Sequence, residues 1–277
     1  MDNMPGKSFV VTSGKGGVGK TTITSNLGTA LALRNKKVCV VDADIGLRNL
    51  DVVMGLETRV VFDLVQVIDG ECRLKQALIK HKRAEGLFLL PASQTRSKEA
   101  ISPEQMKVLI EKLKEEELFD YVLVDCPAGI EHGFRNAIAG ADEALIVTTP
   151  EVSAIRDADR IIGLLQAAEM YDPKLIINRL SLEMVKRKDM MDKEDIIDIL
   201  AIELIGVIPE DEQIIVSTNV GEPIVLTDSS KSSAAFKRIA RRIEGETVPI
   251  FGETEQDGLF TRLKKLLGFD RKEQQNV

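Results

Sequence analysis

The sequence predicts an α/β fold: a doubly wound, mostly parallel sheet with helices on both faces, built as a single domain with a C-terminal amphipathic tail. Three observations lead there. Seven short apolar runs are continuous rather than alternating, as strands buried on both faces require. Amphipathic stretches of helical period lie between them. A glycine-rich turn joins the first run to the first such stretch, at the edge where sheets of this kind hold their ligands.

Taken in order, the run at 9–12 lies within Lys7-Ser8-Phe9-Val10-Val11-Thr12 and leads into the glycine-rich turn, after which 21–34 reads as a helix. Strands at 38–42 and 87–90 follow, then a helix at 103–116 and strands at 121–125 and 144–148. A helix at 152–168, a strand at 175–178, a helix at 193–200, a strand at 204–208 and a helix at 232–244 complete the alternation. Residues 1–243 form the expected domain. From 244 to 257 the chain holds Glu244, Glu246, Glu253, Glu255, Asp257, two glycines and Pro249 with no basic residue, and reads as an acidic polar linker. Residues 258–277 change character again.

Composition narrows the function classes. At 277 residues the chain can bury a core without covalent staples. Cys39, Cys72 and Cys126 are scattered, so neither a disulfide framework nor a zinc or iron–sulfur site is indicated, and they read as buried thiols in a reducing compartment. His81 and His132, the only histidines, read as surface or loop residues rather than metal ligands. Net charge of −7 argues against broad nucleic-acid binding. The start, Met1 to Lys7, lacks the apolar stretch of a signal peptide, and no apolar run is long enough to span a bilayer. A cytoplasmic protein is expected, held to a surface only by a reversible segment.

The turn reads Gly14-Lys15-Gly16-Gly17-Val18-Gly19-Lys20-Thr21, with Thr22 next, and satisfies the GxxxxGK[ST] pattern. In that pattern successive backbone N–H groups wrap a polyphosphate, Lys20 neutralises its outer oxygens and the Thr21 hydroxyl holds Mg²⁺. A helix N-terminus there adds its own affinity for anions. Lys15 is a second lysine that the pattern does not ask for. Asp42 ends the second strand and suits a Mg²⁺ sphere, while Asp44, two residues on, suits a group that orients the attacking water. Tyr121-Val122-Leu123-Val124-Asp125 is an apolar strand ending in a second Mg²⁺ partner, and Cys126-Pro127-Ala128-Gly129 is a loop suited to sensing the terminal phosphate. Asn178, with Arg179 after it, ends a strand, and an asparagine amide can pair with an adenine edge. The guanine-reading lysine and aspartate are missing after it, which favours adenine.

These segments, with the tail, resemble the deviant Walker-A family of ATPases, the ParA/MinD group, over essentially the whole chain. The resemblance implies a P-loop NTPase fold and Mg²⁺-dependent ATP hydrolysis. It implies that Lys15 is a signature lysine reaching the partner's nucleotide in an ATP-bound homodimer, and that Lys20, Thr21, Asp42, Asp44 and Asp125 take the roles given above. It matches Asn178, Arg179 and the Pro209-Glu210-Asp211 loop to an adenine pocket. For the division-site-placing members it further implies a peripheral membrane protein that inhibits septum formation away from the correct site. Its partners would be a MinE-like activator and a MinC-like division inhibitor, which bind near stretches containing Arg48 and Asp157. The alternative within the family is a flagellar-number regulator or a ParA-like partitioning ATPase.

The tail supplies the surface. At about 100° per residue, Leu259, Phe260, Leu263, Leu266 and Leu267 fall within roughly 120°, with Arg262, Lys264 and Lys265 on the other sides. Such a helix lies in an interface, apolar side into the acyl boundary and cations toward anionic headgroups. One copy should bind weakly; two on an ATP-bound dimer gain from effective concentration. The expected place of action is therefore the cytoplasmic face of the cell membrane.

Overall fold

The computed structural model describes residues 6–130, 132–227 and 230–251. The expected membrane segment, Leu259 to Leu267, lies outside them. Among the described residues eight strands form one sheet: β1 (Lys7–Thr12), β2 (Val38–Asp42), β3 (Ile79–Lys80), β4 (Leu87–Leu90), β5 (Tyr121–Asp125), β6 (Glu143–Thr148), β7 (Lys174–Leu180) and β8 (Glu203–Pro209). Their spatial order is β3-β4-β2-β5-β1-β6-β7-β8. Every neighbouring pair is parallel except β3 with β4.

All seven expected strands are present, and the eighth, β3, is a two-residue antiparallel edge too short to leave a pattern. An edge this short exposes little unpaired backbone to another chain. The central strands are buried along nearly their whole length, which is why their sequences are runs of Val, Ile and Leu rather than alternations.

Two apolar layers cover the faces of the sheet. On one side lie α1 (Lys20–Ala32) and the helix Lys231–Ile243, packing Leu27, Leu31, Phe236 and Ile239 onto Phe9, Val11, Val40 and Leu123. On the other lie the helices Pro103–Glu115, Val152–Ala167 and Lys193–Leu200, packing Met106, Leu109, Ile155, Ile162 and Ile196 onto Val10, Val41, Val124 and Ile177. Gly206 lets the strand and helix of the first layer approach: a Cβ there would stand 2.3 Å from Ile239 Cγ1.

The helix Pro103–Glu115 starts as its sequence dictates. Ser102 accepts from the Gln105 N–H at 3.3 Å, the Gln105 side chain accepts from the Ser102 N–H at 2.9 Å, and proline stands at the first helical position. Shorter helices, including Leu64–Ile68, His132–Ile138 and Glu212–Asn219, have no counterpart in the sequence reading.

The structure adds detail to two expectations. His81 is in a loop but buried, its Nδ1 accepting the Arg83 and Ala84 N–H groups at 3.1 Å each, and His132 opens a helix. Burial is affordable for His81 because both amides satisfy the ring nitrogen. The stretch from 244, read as linker, is folded against the domain as far as Phe251. Glu244 pairs with Arg34 and Lys36, Glu246 with Arg34 and Arg241, Val248 is buried, and Ile250 and Phe251 pack on an apolar layer. The acidic residues have cations waiting on neighbouring elements, which a composition count does not reveal.

Candidate nucleotide site

Because β1 is flanked by β5 on one side and β6 on the other, its C-terminal end opens the crevice where the strand order diverges. The loop 14–19 leaves there and turns directly into α1. Gly17 at φ 79° and Gly19 at φ 102° occupy left-handed backbone that side chains disfavour, and Gly19 caps the helix. Gly14 is required for a different reason: a Cβ there would stand 2.2 Å from the Asp157 carbonyl oxygen. The loop thus leans on the helix Val152–Ala167.

Lys20 is buried and its Nζ donates to Ser13 Oγ at 3.0 Å; Ser13 Oγ in turn donates to the Lys15 carbonyl at 2.8 Å. Thr21 Oγ1 donates to Asp125 Oδ2 at 2.6 Å, and Thr24 Oγ1 lies 3.2 Å from Asp125 Oδ1. Asp42 stands opposite Asp125 in the β2–β5 register. Its carboxylate accepts from the N–H groups of Asp44 at 3.0 Å and of Asn49 and Leu50 at 3.1 Å, which shapes the turn that presents Asp44. The loop after β5 approaches the phosphate loop, with Ala128 Cβ 3.8 Å from where a Cβ on Gly16 would be.

Burial sets the electrostatics. It pushes the Asp125 carboxyl up to about 7, helped by the Asp42 charge, against the Thr21 hydrogen bond and the Lys20 charge that lower it. Asp42 is pushed up to about 6, again chiefly by burial, with three backbone N–H groups opposing. Two carboxyl groups held this way favour a cation between them. Thr21 Oγ1, Asp42 and Asp125 are all oxygen donors, the set a hard divalent ion prefers. Among the described residues no group of three or more His, Cys, Asp or Glu could enclose a metal. One hydroxyl and two carboxylates suit Mg²⁺, which takes one or two carboxylates and fills the rest of its shell with phosphate oxygens and water.

Lys15 is held in cis. Its Nζ contacts Glu151 Oε2 at 2.8 Å and Ser153 Oγ at 3.1 Å, both at the start of the helix Val152–Ala167. The pair is substantially exposed. Ion pairs in such surroundings contribute little, so Lys15 is cheaply released.

The residues expected to bound adenine already have partners within the chain. Asn178 is buried, with Nδ2 donating to the Val18 carbonyl at 2.7 Å and Oδ1 accepting from the Arg179 N–H at 3.0 Å. One amide hydrogen and one lone pair are therefore committed to holding the phosphate loop and the turn at Arg179, whose φ is 59°. A second hydrogen and a second lone pair are what the side chain has left for a base. Arg179 stands near the Pro209-Glu210-Asp211 loop because Leu180 pairs with Pro209 across β7 and β8. Asp211 is spent on capping the next helix through the Gln213 N–H. Arg48 forms an ion pair with the buried Asp51 at 2.7 Å, while Asp157 is half-buried behind the phosphate loop.

Sequence reasoning missed Ser13, Thr24, Glu151 and Ser153. Thr24 was legible, since three residues after Thr21 a hydroxyl shares its helix face. Glu151 and Ser153 lie 136 and 138 residues from Lys15, and only the fold brings them together.

Comparison with known proteins gives the chain its relatives. The family described as the CobQ/CobB/MinD/ParA nucleotide binding domain matches residues 9–224. The septum site-determining protein MinD of Bacillus subtilis is 52% identical over 266 residues, covering 95% of this chain and 98% of the relative. Its counterpart from Synechocystis is 58% identical over 242 residues, covering 87% and 90%. Among solved structures, a MinC:MinD cell division protein complex from Aquifex aeolicus matches with TM-score 0.82 and 51% identity, covering 88% of this chain and 97% of that one. MinD from Pyrococcus horikoshii complexed with Mg-ADP matches with TM-score 0.78 and 32% identity, covering 86% and 96%.

Proposed function

The chain belongs to the MinD family of septum site-determining nucleotide-binding proteins, and on that premise we propose an ATPase that dimerises around ATP, grips the membrane as a dimer and keeps septum formation from the wrong sites. The observation that carries this is the meeting of the phosphate loop with two buried carboxylates, Thr21 on Asp125 and Asp42 beside it. Near-complete coverage by septum site-determining relatives favours division-site placement over a flagellar-number or partitioning role.

In this reading the N–H groups of residues 14–19 bind the phosphates and Lys20 turns from Ser13 toward their outer oxygens. Thr21, Asp42 and Asp125 hold Mg²⁺, which when bound neutralises charge developing between the last two phosphates. Asp44 accepts a hydrogen bond from the attacking water and fixes its line of approach. Lys15 leaves Glu151 and Ser153 and crosses to the nucleotide of a second copy, adding a cation where charge accumulates. A cation delivered in trans is worth roughly 10³–10⁵ in rate in phosphoryl transfer. Arg179 and residues 209–211, with the remaining capacity of Asn178, bound the adenine.

Bound ATP joins the two copies and hydrolysis parts them. Paired C-terminal segments then hold the membrane only while ATP is bound. Among the described residues no helix is long and apolar enough to cross a membrane, and the hold in this scheme is peripheral. A MinC-like inhibitor rides on the dimer, and a MinE-like activator stimulates hydrolysis and release.

The test is co-sedimentation with anionic vesicles in ATP against ADP. The parent should sediment with ATP, Asp44→Ala should dimerise and sediment without turnover, and truncation after Asp257 should abolish sedimentation while nucleotide affinity is kept. An Asp44→Ala chain that stays monomeric in ATP overturns the role given to Asp44, and a truncated chain that still sediments overturns the tail.

A further inference from the structure

The helix Lys231–Ile243 carries five cations, Lys231, Lys237, Arg238, Arg241 and Arg242, and no acidic residue. Its buried side is Ser232, Ser233, Ala235, Phe236, Ile239 and Ala240. At about 100° per residue the cations occupy an arc of roughly 140° facing away from that side. In a chain of net charge −7, a solvated helix face would ordinarily mix signs.

The arc divides by use. Arg242 donates to the Ile205 carbonyl at 2.9 Å and to the Val248 carbonyl, and so fastens residues 244–251 to the domain. Arg241 pairs with Glu246 at 2.7 Å, a contact exposed on both sides and easily exchanged for another anion. Lys231 is exposed, and Lys237 and Arg238 are half-exposed.

We propose that this face, through Lys231, Lys237, Arg238 and Arg241, is a second contact for an anionic lipid bilayer, working beside the C-terminal segment and resting on the membrane reading given above. Two observations commit it to that occupant. The chain is tied to this same helix up to Val248 and packed down to Phe251, and the seven steps from Phe251 to Gly258 reach at most about 25 Å when fully extended. A bilayer that holds the segment from 258 therefore holds the folded domain close by. An acidic domain tethered so closely is repelled by anionic headgroups on most of its surface and attracted on a face of one positive sign, so the helix would turn toward the lipid. The pairing complements charge with charge and needs no apolar insertion from the domain.

The full-length chain with ATP is titrated with vesicles of phosphatidylglycerol and phosphatidylcholine, and with phosphatidylcholine alone. Each near-surface cation contributes about five-fold to partition onto an anionic leaflet, less after screening. The variant K231Q/K237Q/R238Q should therefore lose at least about ten-fold in binding to the anionic vesicles and show a shallower salt dependence. Its urea midpoint, nucleotide affinity and ATP-dependent dimerisation should match the parent's, and K231R/K237R/R238K should bind as the parent does. Unchanged vesicle binding by the glutamine variant overturns the proposal. So does loss of duplex-DNA binding with vesicle binding intact, which would give the face to nucleic acid. If truncation after Asp257 leaves binding unchanged, the tail reading fails while the glutamine variant still decides this face. A parent that ignores anionic vesicles overturns both.

Discussion

Asn178→Ala separates two roles that the residue type alone leaves mixed. The buried amide donates to the Val18 carbonyl at 2.7 Å and accepts from the Arg179 N–H at 3.0 Å, so truncation removes two hydrogen bonds at once. Each is worth roughly 1 kcal/mol net, and a stranded buried partner adds its own desolvation cost of about 1–3 kcal/mol. Water entering the vacated volume recovers part of this, leaving a loss of about 2–4 kcal/mol, or roughly 5–15 °C in Tm for a domain of this size. The assay is thermal unfolding in EDTA without nucleotide, followed by ATP affinity. Asn178→Asp should be worse than alanine, because it turns a carboxylate oxygen toward the Val18 carbonyl. If Asn178→Ala melts with the parent in the absence of nucleotide but loses ATP affinity ten-fold or more, the amide serves the base and not the loop.

Gly206→Ala should lower stability by about 1–3 kcal/mol, seen in urea unfolding, because its Cβ would stand 2.3 Å from Ile239 Cγ1 in the core. His81 is held below its ordinary pKa by burial first, then by Arg83, with Arg59 and Lys82 acting the same way and Glu222 opposing. Its neutral form belongs to the folded state, so its contribution is full well above about pH 6.5 and is lost as pH falls through that value toward the folded pKa. His81→Asn keeps an acceptor for the two amides, and between pH 8 and 5.5 its urea midpoint should fall less than the parent's; an equal fall rules out His81 as the source. Asp125→Asn without nucleotide should be neutral or stabilising by up to about 2 kcal/mol in Tm-derived free energy, while losing the Mg²⁺-dependent part of nucleotide affinity.

The strands were legible because burial on both faces leaves an unbroken apolar signature, and Val38–Asp42, Leu87–Leu90 and Tyr121–Asp125 are recovered to the residue. Long helices were legible from their period. The helices Leu50–Val53 and Leu74–Ala77 were not, since four residues make one turn and a single turn has no period to detect. At the site, the residues carried by local patterns, a glycine-rich turn and two strands ending in aspartate, could be named from the sequence, and Lys20, Thr21, Asp42 and Asp125 lie around one crevice. What escaped was contact between distant segments, such as Glu151 on Lys15 and Arg34 on Glu244. The resting place of a long charged side chain depends on which elements the sheet order makes adjacent, and no local pattern encodes that.

The electrostatics of the crevice join stability to function. Asp42 and Asp125 sit side by side in the interior, and the nearest buried cation, Lys20, donates to the neutral Ser13 hydroxyl. Such an arrangement is unfavourable for a fold on its own terms, since desolvated like charges are not repaid by hydroxyl and backbone donors. In the proposed function it becomes favourable when a polyphosphate meets Lys20 and the loop N–H groups while a divalent cation meets the carboxylates. Ligand binding then relieves both deficits together, and occupancy at one hundred times Kd adds about 2.7 kcal/mol to stability. The exposed Lys15–Glu151 pair is the opposite kind of contact, weak and replaceable. In the proposed function, a centre of under-compensated buried carboxylates that gains from its nucleotide and metal, next to a loosely held lysine that gives up its partner at little cost, would let nucleotide state rather than intrinsic stability decide whether two copies associate.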